Sequence, residues 1–238
     1  MVIEAARRAF ARMTMPAFRA ALLKALGLTL LVLGALWFAL GGLLRNYAWP
    51  WLVGFLPDFL STGTWTDWLG IFAGIAGGLA LAFGLALLIA PVTAIIAGLF
   101  LDDVADAVEQ QDYPQDRPGR AVPPLRALVL AAKFFVLVVL GNLLALFLLL
   151  VPFVNLFAFF VVNGYLLGRE FFEFAAMRHR SEADAKMLRK RHAPTIFLAG
   201  LLIAALLAVP ILNLAVPIFA AVMMVHLHKL VTARESGL

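Results

Sequence analysis

Charged residues make up only 14% of these 238 residues, so the few that interrupt the apolar runs are the first candidates for chemistry. Lys133 falls inside the third apolar run, and Arg169, Glu170 and Glu173 fall at the end of the fourth. An ionisable group in such a run is costly and defaults to a functional candidate. Lys133 could instead carry its amine along its alkyl stem to an interface. Arg169, Glu170 and Glu173 form a candidate ion network at a helix end, serving either structure or permeation. Asp102, Asp103, Asp106, Glu109 and Asp112 make the one strongly acidic segment. Paired carboxylates can hold a divalent metal, but no histidines accompany them at ligand spacing, and a solvated helix end is favoured. His226 and His228 stand two apart, a poor spacing for a metal pair on a helix. There is no zinc pattern, Walker loop, G-x-S-x-G or Rossmann fingerprint. The chain has no cysteine, which excludes disulfides and thiolate sites. Catalysis has no visible carrier, so neither an enzyme nor a cofactor or metal is expected.

The most informative polar residues are two asparagines in a repeat. Val151-Pro152-Phe153-Val154-Asn155-Leu156 returns as Val209-Pro210-Ile211-Leu212-Asn213-Leu214, each copy between two apolar arms. Proline removes a backbone donor and disrupts helix continuation, while asparagine can supply a polar group to the freed backbone. Each copy therefore reads as a helical hairpin or a sharply broken helix. The tips are Val, Pro, Phe, Ile and Leu, with asparagine the only strongly polar side chain, unlike a turn that emerges into water. Irregular backbone at membrane depth is tolerated only against protein or beside a water-filled cavity. The favoured reading is two re-entrant hairpins with Pro152, Asn155, Pro210 and Asn213 at apices inside the bilayer. Full-span hairpins with tight apolar turns are the alternative.

The elements that would position these residues follow from composition. Hydrophobic residues reach 64% and mean hydropathy is +0.98, too apolar for a soluble domain of this length. The runs are continuous rather than alternating, so they predict helices and not a barrel. The fold expected is an all-α integral membrane protein, one membrane domain over 1–238. Its parts are an interfacial amphipathic helix at 1–20, spans at 21–44 and 69–100, and an acidic, proline-broken connector at 101–126. Hairpin 1 follows at 127–168, a basic cytoplasmic segment at 169–194 and hairpin 2 at 195–228. Four of the five tryptophans fall between residues 46 and 68, an aromatic belt facing away from the basic N-terminus. The N-terminus shows no small-residue cleavage site and does not read as a removable signal. A stripe of Gly70, Gly74, Gly78, Ala82, Ala86, Ala90, Ala94 and Gly98 predicts a packing ridge, with Gly27, Gly34 and Gly41 of the first span as its partner, and Pro91 is expected to kink the helix. The net charge of +5 is placed by topology, on the cytoplasmic side, and does not point to nucleic acid.

At these landmarks the sequence resembles the CysZ-type sulfate permease family, grouped with the etoposide-induced membrane protein superfamily. The resemblance covers roughly residues 10–230. It rests on the order of elements, the two Val-Pro-x-x-Asn-Leu apices and Gly168-Arg169-Glu170-Phe171-Phe172 between them. It implies hairpins that penetrate partway and subunits that assemble around a sulfate path. It also implies a Gly-Leu-Arg motif binding sulfate through arginine and backbone amides. The corresponding stretch here is Pro16-Ala17-Phe18-Arg19-Ala20. Arg19 is kept, while Ala17 stands for the glycine, Phe18 for the leucine and Ala20 for a following arginine. A helix N-terminus with a guanidinium still suits a tetrahedral oxyanion. The function expected is a homo-oligomeric, multi-pass sulfate or oxyanion permease of the bacterial inner membrane, supporting sulfate uptake for cysteine biosynthesis. The rival is a non-transporting scaffold or assembly factor with the same helical shell.

Overall fold

The structure, a computed structural model, describes residues 1–53, 64–123 and 154–237, with Val129, Val136 and Leu140 among those between. Pro152, Lys133 and the first arm of hairpin 1 lie outside the described residues. Every regular element described is helical. In order these are α1 (Val2–Arg12), α2 (Pro16–Leu43), a wider π turn over Leu44–Ala48, α3 (Trp49–Val53), α4 (Thr64–Gly98) and α5 (Leu101–Asp112). After the connector come α6 (Val154–Met177), α7 (Glu182–Arg191), α8 (Ala193–Leu207), α9 (Pro210–Asn213) and α10 (Val216–Glu235). The chain divides into two compact units, Lys24–Ile96 and Met1–Leu23 with Ala97–Leu238.

The Lys24–Ile96 unit carries most of α2 and α4. Helical backbone from Pro16 to Trp51 runs for 36 residues at a mean hydropathy of 2.1, enough to cross a bilayer. Leu30, Leu31 and Phe38 on α2, and Phe72, Leu79 and Phe83 on α4, are all exposed, as side chains facing lipid would be. Tyr47, Trp51 and Trp68 are exposed near the ends of these helices, the place amphipathic rings take at a headgroup boundary. The helix α4 continues through Pro91 without a break. The expected ridge is not close-packed. A Cβ added at Gly74, Gly77 or Gly78 meets nothing within 4 Å, and of the three glycines expected opposite, only Gly41 has a neighbour, Leu81 at 4.0 Å. The small side chains leave a groove of about 560 Å³ instead, bordered by Trp37, Arg45 and Trp49.

The other unit is built around α10. Every residue from Val216 to His228 is buried, and a helix apolar on every face from Val216 to Val225 needs protein or lipid all round. Its mean hydropathy of 1.6 also suits a crossing. The first helix lays Ala5, Ala6 and Ala9 against it, and Phe10 meets Phe219 at 4.6 Å between ring centroids. The N-terminal helix is thus docked on protein through its alanine face. Val104, Ala105 and Val108 anchor α5. The tightest crossing is α6 on α8, where Gly164 and Gly168 face Gly200 with no side chain between the backbones. Ser181 caps α7, its hydroxyl accepting the Asp184 amide at 3.2 Å, and Arg189, Lys190 and Arg191 complement the C-terminal dipole. Between α7 and α8 the axis bends by 91°, and Pro194 sits in the first turn of α8, where its missing N–H costs nothing.

Candidate functional site

The oxyanion candidates occupy the first turn of α2. Pro16 opens the helix with no N–H to give, and the Arg19 amide donates to the Met15 carbonyl at 3.1 Å. Among the described residues the Ala17 and Phe18 amides have no acceptor, as expected of a helix start. Phe18 is 1% exposed, so its ring pins the turn into the core, while Arg19 and Ala20 are exposed. An exposed guanidinium with no ion pair among the described residues therefore stands in the first turn, at the positive end of a long helix. That combination suits a tetrahedral anion, while the Phe18 amide is buried with its residue.

The second elbow is well defined. Val209 is extended, as a residue before proline must be, and α8 ends at Leu207. One turn of helix follows over Pro210–Asn213, its Asn213 amide donating to the Val209 carbonyl at 2.9 Å. The chain breaks again at Leu214 and Ala215 before Val216-Pro217 starts α10. Asn213 is half-buried, and its side chain has no partner among the described residues. Asn155 lies in the first turn of α6. At 1.5 Å per residue the 15-residue α8 reaches roughly 22 Å, short of a hydrocarbon slab of about 30 Å.

Of the expected ion network, Arg169 and Glu173 come together, Nε donating to Oε1 at 3.3 Å. Arg189 joins from α7 at 2.8 Å from the same oxygen, with its N–H aimed too poorly to count as a hydrogen bond. Glu170 is half-buried and makes no ion pair among the described residues.

The acidic segment differs from the solvated helix end expected. Asp102, Asp106 and Glu109 lie on one face of α5 and converge on Arg178, whose side chain is 0% exposed. Arg178 donates to Glu109 through Nε and Nη2, each at 3.2 Å, and also to Asp102 and Asp106. Glu109 further binds His179 Nε2 at 2.9 Å and accepts the Gly119 amide at 3.1 Å. Burial would raise the Glu109 carboxyl, but hydrogen bonds from His179 and Arg178 outweigh it and hold the group at about 2. Burial raises Asp102 despite its contact with Arg178. A Cβ at position 119 would fall 2.5 Å from Glu109 Oε2, so glycine lets the backbone approach this carboxylate without displacing it. The spacing of 102, 106 and 109 puts three acids on one helix face, a signal present in the sequence. Its partner 69 residues away from Glu109 was not identifiable there.

A second polar cluster surrounds Tyr113. Its hydroxyl meets His226 Nδ1 at 2.8 Å and accepts from Arg8 at 3.3 Å, and Lys229 stands 5.4 Å above its ring. Arg12 pairs with Asp112, and His228 stacks on His179 with centroids 5.5 Å apart. His226 thus hydrogen-bonds to the connector, while His228 packs on His179 and Phe172.

Comparison with known proteins gives one result. The model of the family described as sulfate transporter CysZ/etoposide-induced protein 2.4 matches residues 5–217. No curated protein and no solved structure matches. The match takes in α1 through α9 and the start of α10, including Arg19 and both elbows. The apolar helices and this match make the chain a membrane protein, and it belongs to the sulfate transporter CysZ/etoposide-induced protein 2.4 family.

Proposed function

We propose that the protein is a homo-oligomeric permease for sulfate or a related oxyanion in the bacterial inner membrane, supplying sulfate for cysteine biosynthesis. Arg19 captures the anion, assisted by the Ala17 and Phe18 amides, and the Asn155 and Asn213 apices line the path through the slab. The observation that carries this reading is the first turn of α2. Its exposed guanidinium stands where a helix of a sulfate transporter family chain begins its apolar run. Arg169, Glu170 and Glu173 belong to the same reading as a polar relay at the end of α6. The exposed apolar faces of α2 and α4 are what lipid and neighbouring subunits would cover.

The test is flux of radiolabelled sulfate into proteoliposomes holding the full chain. Uptake that falls to the level of empty vesicles in Arg19→Ala supports the permease. Absence of flux for sulfate and for any other tetrahedral oxyanion supports the scaffold reading in its place.

A further inference from the structure

One cationic region takes no part in the reading above. The connector after α5, the turn after α6 and the last turns of α10 enclose a cleft of about 640 Å³. A second, of about 550 Å³, shares Arg117, His179 and Arg180 with it and adds Arg120. The charges around this pair of clefts are unequal. Lys229 is matched by Asp116 at 2.8 Å and Arg8 by Glu4 at 2.7 Å. Arg117, Arg120 and Arg180 have no carboxylate among the described residues. Four of the five acids of α5 are already committed, Asp102, Asp106 and Glu109 to Arg178 and Asp112 to Arg12, which leaves Asp103 at the far end of that helix from the connector.

The Arg178 cluster sets three carboxylates against one guanidinium, yet none of those acids pairs with Arg117, Arg120 or Arg180, so the unmatched positive charge is local to these three side chains. Arg180 is steadied by Thr232, whose Oγ1 accepts from Nη2 at 3.3 Å, so its guanidinium is held at the cleft. Asp116 also lines this cleft but is taken by Lys229, so Arg117 and Arg180 share the cleft without a carboxylate of their own, and an anion between them relieves their repulsion. The planar guanidinium matches two oxygens of a tetrahedral anion at once, which an ammonium cannot do. The clefts lie at the ends of α6 and α10, outside their apolar stretches, where basic pockets between membrane helices meet headgroups.

We infer that the cleft bordered by Arg117, Arg180 and Lys229 binds a phosphate-type tetrahedral oxyanion, as a free ion or as an anionic lipid headgroup. It is separate from the first turn of α2 and does not depend on transport.

The experiment uses full-length Arg19→Ala protein throughout, so that the α2 turn contributes no arginine. Calorimetric titration with inorganic phosphate and with sulfate reads the free ion. Retention of phosphatidylglycerol against phosphatidylcholine in native mass spectrometry reads the headgroup. Adding Arg117→Gln and Arg180→Gln is expected to weaken one of these by about tenfold or more, the scale for losing charge-assisted hydrogen bonds. Restoring charge with Arg117→Lys and Arg180→Lys should recover it in part. Loss in the titration alone assigns a free ion, and loss in lipid retention alone a headgroup. Unchanged binding in both measurements, or no binding in either before the glutamines are added, overturns the inference. Arg117→Gln alone, at an exposed position, serves if the double variant does not fold.

Discussion

A Cβ placed on Gly200 would lie 2.8 Å from the Cα of Gly168, so α8 and α6 cross backbone to backbone. The same Cβ would also strike the Gly164 carbonyl oxygen, and one added at Gly168 would sit 2.6 Å from the Ile196 carbonyl oxygen. Backbone cannot rotate away as a flexible side chain can, so the crossing has no room for a methyl group. Close approach of this kind is how membrane helices gain van der Waals contact where lipid offers no hydrophobic drive.

Gly200→Ala should therefore destabilise the fold. Alanine gains about 1 kcal/mol in helix propensity. Overpacking against fixed backbone costs about 1–3 kcal/mol, and it takes the upper part of that range when no atom can yield. The net effect expected is a lower Tm in detergent, with Gly200→Leu failing to fold. Gly74→Ala, whose Cβ meets nothing within 4 Å, should leave Tm unchanged or slightly raised.

Glu109 should give the fold an acid-sensitive edge. Its folded carboxyl sits at about 2 against an ordinary 4.5, so as pH falls the unfolded chain takes the proton first. The stabilisation is whole above about pH 4.5 and disappears progressively as pH falls to about 2. Glu109→Gln should remove this slope from a plot of Tm against pH. It should also cost about 3–5 kcal/mol at neutral pH, because Arg178 loses its best-buried partner. A wild-type slope retained in the variant would assign the acid sensitivity elsewhere.

Phe18 and Arg19 are adjacent but should separate cleanly. Phe18→Ala removes a ring that is 1% exposed and should cost about 3 kcal/mol of stability. Arg19→Ala removes an exposed side chain with no ion pair among the described residues, so Tm should hold within about 0.5 kcal/mol of wild type. Loss of sulfate flux in Arg19→Ala at unchanged Tm is the expected pattern. A matching loss of stability would mean that Arg19 supports the turn.

These contrasts show what the sequence made readable. Hydropathy located α2, and Val209-Pro210 located the second elbow, because proline acts on its immediate neighbour through local sterics. Long-range choices were less visible. The eight-residue stripe on α4 was the longer small-residue signal, yet the close crossing uses Gly164, Gly168 and Gly200, of which only the first two are near in sequence. Nothing in one helix states which partner its small face will meet. The acids of α5 look solvated in the sequence for the same reason, since Arg178 reaches them only through the fold. Arg19 is singled out only through the family resemblance, and the local signal that Pro16 gives is the helix start on which it stands.

The depth of the second elbow is open to direct measurement, and the chain's lack of cysteine makes single-site labelling clean. Leu212 is exposed at the elbow and faces either hydrocarbon and protein or the water beyond the far surface. The arm before the elbow, at roughly 22 Å, is shorter than a slab of about 30 Å, which favours the first, although the 20-residue α10 after it is long enough to cross. Leu212→Cys should therefore resist a membrane-impermeant maleimide added from either side, while a cysteine at exposed Tyr47 reacts. Protection should persist after Asn213→Ala if protein and lipid shield the site, and fall if the asparagine helps hold the elbow in place. Rapid labelling of Leu212→Cys from the far side in the otherwise wild-type chain would make the hairpin a full crossing, and the path lined by Asn213 would go with it.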